Sequence, residues 1–146
     1  ERNTSFWVLV SSLVLFLSGG LVGYMIEGSN TIIPAHYHGS TVGVTLALMG
    51  IAYFTVTKQG GRDVSHWKMA KLQPTLYGIG QLLHVIGFAI AGSEGVARKA
   101  AGKMEGATEL AQIGMQLVRI GGGLAVIGGG LFVIVMIRAW PRKAKD

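Results

Sequence analysis

Four stretches of this chain, approximately 6–26, 33–57, 72–91 and 107–140, are long and apolar enough to cross a membrane. A hydrocarbon core is about 30 Å thick and takes roughly 20 helical residues to span. Inside it the backbone finds no water, and a helix is the structure that satisfies its own amides within one segment. The chain is therefore expected to be all-α, a single integral membrane domain of four transmembrane helices over residues 1–146. Half of its residues are apolar and 14% are charged, which fits a polytopic membrane protein better than a soluble domain. The first stretch lacks the short apolar centre and small-residue cleavage pattern of a signal peptide and precedes three more spans, so it is expected to stay in the mature protein.

Charge placement sets an orientation, because Lys and Arg near helix ends are held on the cytoplasmic side. Arg2, then Lys58, Arg62, Lys68 and Lys71, then Arg138, Arg142, Lys143 and Lys145 fall on one side of a four-span chain. Arg98, Lys99 and Lys103 fall on the other. Both termini are thus expected on the cytoplasmic or matrix side of an inner membrane, cytoplasmic or mitochondrial. The net charge of +6 comes mainly from these flanking residues, and the anionic surface of a lipid bilayer accounts for it. No basic and aromatic stripe calls for nucleic acid. With no cysteine, disulfides, thiolate metal sites and covalent haem attachment are excluded. There is no phosphate-binding glycine loop, nucleophile elbow or paired-carboxylate arrangement.

The 23 glycines read first as packing devices. Gly19 and Gly23, and Gly39 and Gly43, have the G-x-x-x-G spacing that lets transmembrane backbones approach closely. Two triplets, Gly121 to Gly123 and Gly128 to Gly130, recur seven residues apart on nearly one helix face. Clearance for a flat, bulky cofactor is the alternative use. Polar groups within the spans carry more information, since each costs free energy in hydrocarbon and asks for a partner. They are His36, His38, Gln73, Gln81, His84 and Arg119. His66, in a loop beside Asp63 and Ser65, reads as a solvated residue.

Pro34 suits the first turn of the second helix, and His36 and His38 follow it directly. At about 100° per residue, positions two apart point about 200° apart, so the two imidazoles face opposite sides of one helix. They are poorly placed to chelate one metal and well placed to serve two centres. Neutral imidazole is the usual protein ligand of haem iron. A lone intramembrane histidine is more often a hydrogen-bond partner of a neighbouring helix.

The segment "GGLVGYMIEGSNTIIPAHYHGSTVGVTLALMG", residues 19–50, resembles the ninth-to-tenth helix region of the catalytic subunit I of haem-copper oxidases. That family's tenth helix carries an H-x-H motif whose first histidine binds the high-spin, oxygen-reducing haem and whose second binds the low-spin haem. The resemblance implies that His36 ligates the high-spin haem iron and His38 the low-spin haem iron. "MAKLQPTLYGIGQLLHVIGFAIAGSEGVARKAAG" looks like the eleventh helix and following loop, which places Arg98 and Lys99 where the family has basic residues near the haem propionates. The last span then matches the twelfth helix. Tyr37 would pack on a haem face, with an interfacial aromatic as the simpler account. Arg119, before the apolar run 120–137, would meet a propionate or snorkel to the outer boundary.

The resemblance implies two haems and, on a partner chain, copper, with reduction of oxygen to water as the activity and cytochrome c or quinone as electron donor. Departures qualify it. The chain reads His36, Tyr37, His38, Gly39 where the family usually has other residues around the motif, which leaves oxygen and nitric oxide both open as substrate. The copper site needs three histidines from earlier helices and the low-spin haem one more, yet the chain has only His36, His38, His66 and His84. It is therefore either the C-terminal part of a split subunit I, completed by membrane subunits carrying the missing helices and copper ligands, or a small membrane cytochrome b. Under the second reading His84, about 12 Å by helical rise from the outer end of its helix, pairs with a second-helix histidine across one haem. Under the first, His84 hydrogen-bonds a neighbour. A cofactor-free structural subunit is the third class.

Overall fold

The structure is a computed structural model that describes residues 3–99 and 106–141. It is all-helical, with α1 (Thr4–Gly23), α2 (Ile32–Lys58), α3 (Lys68–Ser93) and α4 (Glu109–Ala139) in chain order. All four are long and apolar enough to cross a membrane, at 20, 27, 26 and 31 residues. The helices are offset from the expected spans by their caps. α1 ends at Gly23, because the chain turns there and passes through Gly28 at φ 72°. α3 begins at Lys68, ahead of the expected 72, and carries Pro74 inside it.

The connections show that the helices alternate in direction. Thr4 opens α1 and is held by the loop between α2 and α3: its amide donates to the Ser65 carbonyl at 2.9 Å, and its hydroxyl meets the Val64 and Ser65 carbonyls. The same loop takes the end of α4, where the Arg62 amide donates to Ala139 O at 2.9 Å. Asp63 turns this loop by accepting the Ser65 amide at 2.8 Å, a bond that holds its carboxyl below the usual carboxylate range. At the opposite end the Thr31 amide donates to Val96 O at 3.0 Å, and Asn30 bridges Ala97. Lys58, Arg62, Lys68, Lys71 and Arg138 thus gather toward one end, and Arg98 and Lys99 toward the other. Arg2, Lys103, Arg142, Lys143 and Lys145 lie outside the described residues.

Packing is built on glycine. α1 lies along α2 and α3 along α4, and the pairs join through α2 and α1 against α3. A Cβ on Gly19 would fall inside the backbone of Gly39 and Ser40, and one on Gly39 inside that of Gly19. A Cβ on Gly43 would stand 2.8 Å from Phe16 N. Between α3 and α4 the contacts form a seven-residue ladder in which Gly114 faces Gly87, Gly121 faces Gly80 and Gly128 meets Tyr77. In water such glycines weaken a helix, whereas in lipid the helix persists and dispersion between close backbones is the gain. The triplets are therefore split in use: Gly121 and Gly128 are buried between helices, while Gly123 and Gly130 have open space around them.

The enclosed core lies near the charged-loop end, where Val8, Tyr53, Val56, Val64, Ala70, Val135 and Ala139 pack together. Gln73 is wholly buried beside it, accepting from Tyr53 Oη at 3.0 Å and directing Nε2 to Met49 Sδ at 3.4 Å. Leu17, Leu21, Leu48, Ile51, Phe54, Val126 and Ile137 are among many large apolar side chains left facing outward. An apolar exterior on this scale is the surface of a protein solvated by lipid.

Candidate functional site

α2 starts where Thr31, buried, donates its hydroxyl to the Phe88 carbonyl at 2.9 Å and so pins the helix start to α3. Pro34, the third residue of α2, loses no intrahelical bond there. His36 and His38 then leave α2 toward different helices, as a two-residue step on a 3.6-residue helix requires.

His36 turns to α1. The contact of Gly19 with Gly39 brings the backbones close enough for His36 Nδ1 to lie 2.8 Å from the Gly19 carbonyl oxygen. A carbonyl only accepts, so Nδ1 carries the proton in the neutral ring and Nε2 keeps its lone pair. Gly23, one turn further along α1, leaves room for the ring, since a Cβ there would stand 2.7 Å from Nδ1. His36 lines an open, mainly apolar groove of about 450 Å³ together with Phe16, Gly20 and Tyr24. Nothing approaches the position of a Cβ on Gly20, so the groove is open at that point between the α1 side chains Phe16, Leu17 and Leu21.

His38 turns to α3. Its ring stacks on His84 at 5.0 Å between centroids and 20° between planes, and Phe88 packs against both rings at 5.6 Å. Nδ1 of His38 and Nδ1 of His84 are enclosed without a hydrogen-bond partner, as is Oε1 of Gln81. His84 rests against α4 at Gly122, where a Cβ would lie 3.2 Å from its Cε1. Its contact with α2 is the ring stack on His38.

Tyr37, between the two histidines in sequence, is exposed. Its ring lies 5.9 Å from that of His38, and the Arg98 guanidinium lies 5.9 Å from the Tyr37 ring centroid. Arg98 is therefore carried to the histidine end of α2 by the loop after α3, and Lys99 is exposed beside it. Arg119 is exposed on α4 with Gln112, Met115 and Gln116, and no contact among the described residues joins it to the histidines. His66 lies in the loop at the other end. Among the described residues no three histidine or carboxylate side chains form a metal-chelating group.

Sequence reasoning passed over Phe88 and the Gly19 carbonyl. The first was accessible, since Gln81, His84 and Phe88 stand three and four apart on one face of α3. The second depends on the register of α1 on α2, which no local pattern reports.

The chain is similar to an uncharacterized protein of Rickettsia prowazekii (strain Madrid E), with 38% identity over 104 residues covering 63% of this chain and 20% of that protein. It is also similar to an uncharacterized protein of Aquifex aeolicus (strain VF5), with 36% identity over 53 residues covering 36% of this chain and 14% of that protein. The chain thus spans a fifth or less of the length of these relatives. No family model matches it, and no solved structure does.

Proposed function

We propose that this chain supplies haem-iron ligands to a haem-copper oxidase-like respiratory complex, with His36 serving the high-spin haem and His38 the low-spin haem. The observation that carries the reading is the divergence of the two rings: His36 goes to α1 with Nδ1 on a backbone carbonyl, and His38 goes to α3. The groove beside His36 suits an apolar group, because its lining is mainly apolar and Gly20 places no side chain in it, while Gly23 makes room for the His36 ring itself. The H-x-H resemblance supports the same assignment. Further transmembrane helices, on a partner subunit or elsewhere on a longer chain, would bring the copper ligands and the second low-spin ligand. Relatives far longer than this chain are compatible with that arrangement.

When bound, the haems and copper would supply the redox chemistry that reduces oxygen to water, with nitric oxide as the alternative substrate and cytochrome c or quinone as donor. The contribution of this chain is ligation and tuning. The Gly19 carbonyl makes the His36 imidazole a stronger electron donor by drawing on its Nδ1–H, and fixes the ring plane. α2 holds the two imidazoles two positions apart, so their relative placement is set by one rigid helix. Arg98, and Lys99 next to it, would place positive charge near haem propionates at that end, where carboxylates gain charge-assisted contacts. Arg119 is the more distant candidate for the same role. By the positive-inside rule both termini lie on the cytoplasmic or matrix side of the inner membrane and His36 and His38 near the outer face.

A second reading, a membrane cytochrome b that relays electrons, is favoured by the juxtaposition of His38 and His84. The two rings meet face to face, however, and present no lone pairs to one point between them. As arranged they do not fit the two sides of one iron. Haem-pyridine and metal analysis of the complex purified through this chain tests the choice. Two haems with copper are expected, and one haem without copper, lost in His84→Ala as well as His38→Ala, would establish the cytochrome b instead.

A further inference from the structure

The face of α4 turned away from α3 has no neighbour among the described residues, and lipid alone is a poor solvent for part of it. Gln112, Gln116, Arg119, Gly123, Val126 and Gly130 recur at steps of four and three, the spacing that keeps one stripe of a helix against a neighbouring helix. The glycines that meet α3 stand on the opposite side, since Arg119 and Gly121 are two positions, or about 200°, apart. Gln112, Gln116 and Arg119 are exposed, and Val126 is 76% exposed. A Cβ on Gly123 or Gly130 would meet nothing within 4 Å.

Arg119 lies deep for a cation. Gly121 packs on Gly80 and Leu83, and Gly114 on Gly87 and Ala91, so Arg119, between them and nearer Gly121, is level with about Leu83 to Gly87 of α3. That level is at least about 9 Å along the axis from the end of α3 at Ser93. With 26 residues α3 is about 39 Å long, and centred on a hydrocarbon layer of about 30 Å it protrudes by only about 5 Å at each end. Arg119 is therefore within the layer, whereas the other charged side chains of the four helices lie within about one turn of a helix end. Gln112 spends one amide hydrogen on the Ala107 carbonyl at 3.2 Å, while Gln116 and Arg119 have no hydrogen bond or ion pair among the described residues. A charge at such a depth calls for a partner of opposite sign.

We propose that this stripe of α4 seats a further transmembrane helix that carries an Asp or Glu side chain opposite Arg119. The carboxylate meets the guanidinium through two parallel N–H···O bonds. The glutamine amides hydrogen-bond across the same seam, and Gly123 and Gly130 let the two backbones approach on its other half. A second copy of this chain fits badly, because a symmetric pair in one membrane sets both Arg119 cations at the same depth, facing each other. A lipid phosphate is met only if the side chain climbs to the interface, and it leaves the open glycines uncovered. This takes from the proposed function only the presence of further transmembrane helices, and holds whatever cofactor His36 and His38 bind.

The test puts a photoreactive benzophenone amino acid in place of Val126 in the complex purified through this chain, and identifies the cross-linked product by mass spectrometry. The expected product joins that position to a transmembrane segment with an Asp or Glu within about one turn of the level of Arg119. Arg119→Glu is expected to lower the yield about tenfold or more, and Arg119→Gln to lower it less. Exchange of the partner carboxylate for arginine is expected to restore the yield in the Arg119→Glu background. Cross-linking to lipid, to a second copy of this chain, or to a helix without such a carboxylate overturns the proposal. So does an unchanged yield in Arg119→Glu, and loss of haem from that variant would then give Arg119 a propionate as its partner. Haem-pyridine analysis of the same material separates the two readings. The expected product in a complex without haem removes the haem assignment and leaves this surface standing, while two haems with lipid at position 126 do the reverse.

Discussion

At the scale of single residues, His36 is defined by what α1 withholds. Gly23 leaves room for the imidazole, with a Cβ only 2.7 Å from Nδ1 if one were added, while Gly20 faces open space. Gly23→Ala is expected to push His36 off the Gly19 carbonyl and weaken the haem assigned to it, while Gly20→Ala leaves that bond intact. Haem retention and the absorption spectrum of the two variants check this, and equal retention would mean that the ring does not depend on Gly23. The divergence of His36 and His38 was legible in the sequence, because helical periodicity alone separates positions two apart. Their partners were not. The Gly19 carbonyl and the His84 ring are reached only through the docking of α2 on α1 and on α3, which the sequence of α2 does not encode locally.

At the scale of helices, seven-residue spacing of glycine sets the α3–α4 interface. Gly121 sits against Gly80, with Leu83 Cβ only 2.9 Å from where its own Cβ would be. Gly121→Leu is expected to destabilise the hairpin by about 1–3 kcal/mol through overpacking. Gly123→Ala, on the same helix but in open space, should stay within about 0.5 kcal/mol of the parent. Unfolding in mixed detergent, followed by circular dichroism, compares them, and equal stability would remove the ladder from the account. Tyr53→Phe leaves Gln73 Oε1 without its 3.0 Å donor deep between α2 and α3, at an expected cost of about 1 kcal/mol. The same unfolding assay reads it. Packing as the main use of glycine could be read from the repeat. Which member of each triplet turns inward, 121 and 128, follows from register with Tyr77, Gly80 and Gly87 and could not.

At the scale of the whole molecule, the two ends of the bundle are tied by different means. One end is closed by the loop 59–67, which grips the start of α1 and the end of α4. The other is closed where 29–31 meets 96–98, and that closure brings Arg98 over Tyr37 beside the histidines. The number of helices and their lengths came from hydropathy, since lipid imposes one solution on a long apolar segment. Their ends were less legible, because Gly28 and the loop hydrogen bonds decide where α1 stops and α2 begins. Large apolar side chains face outward on every helix, and Gln112, Gln116 and Arg119 form an exposed polar group on α4. Against that background His36 and His38 are the pair with two distinct destinations. The most direct test of the central claim is the reduced-minus-oxidised spectrum of the complex carrying His36→Ala or His38→Ala. The account predicts that His36→Ala removes the high-spin, ligand-binding signal and His38→Ala the low-spin signal. Loss of the same haem in both variants, or of neither, would contradict it.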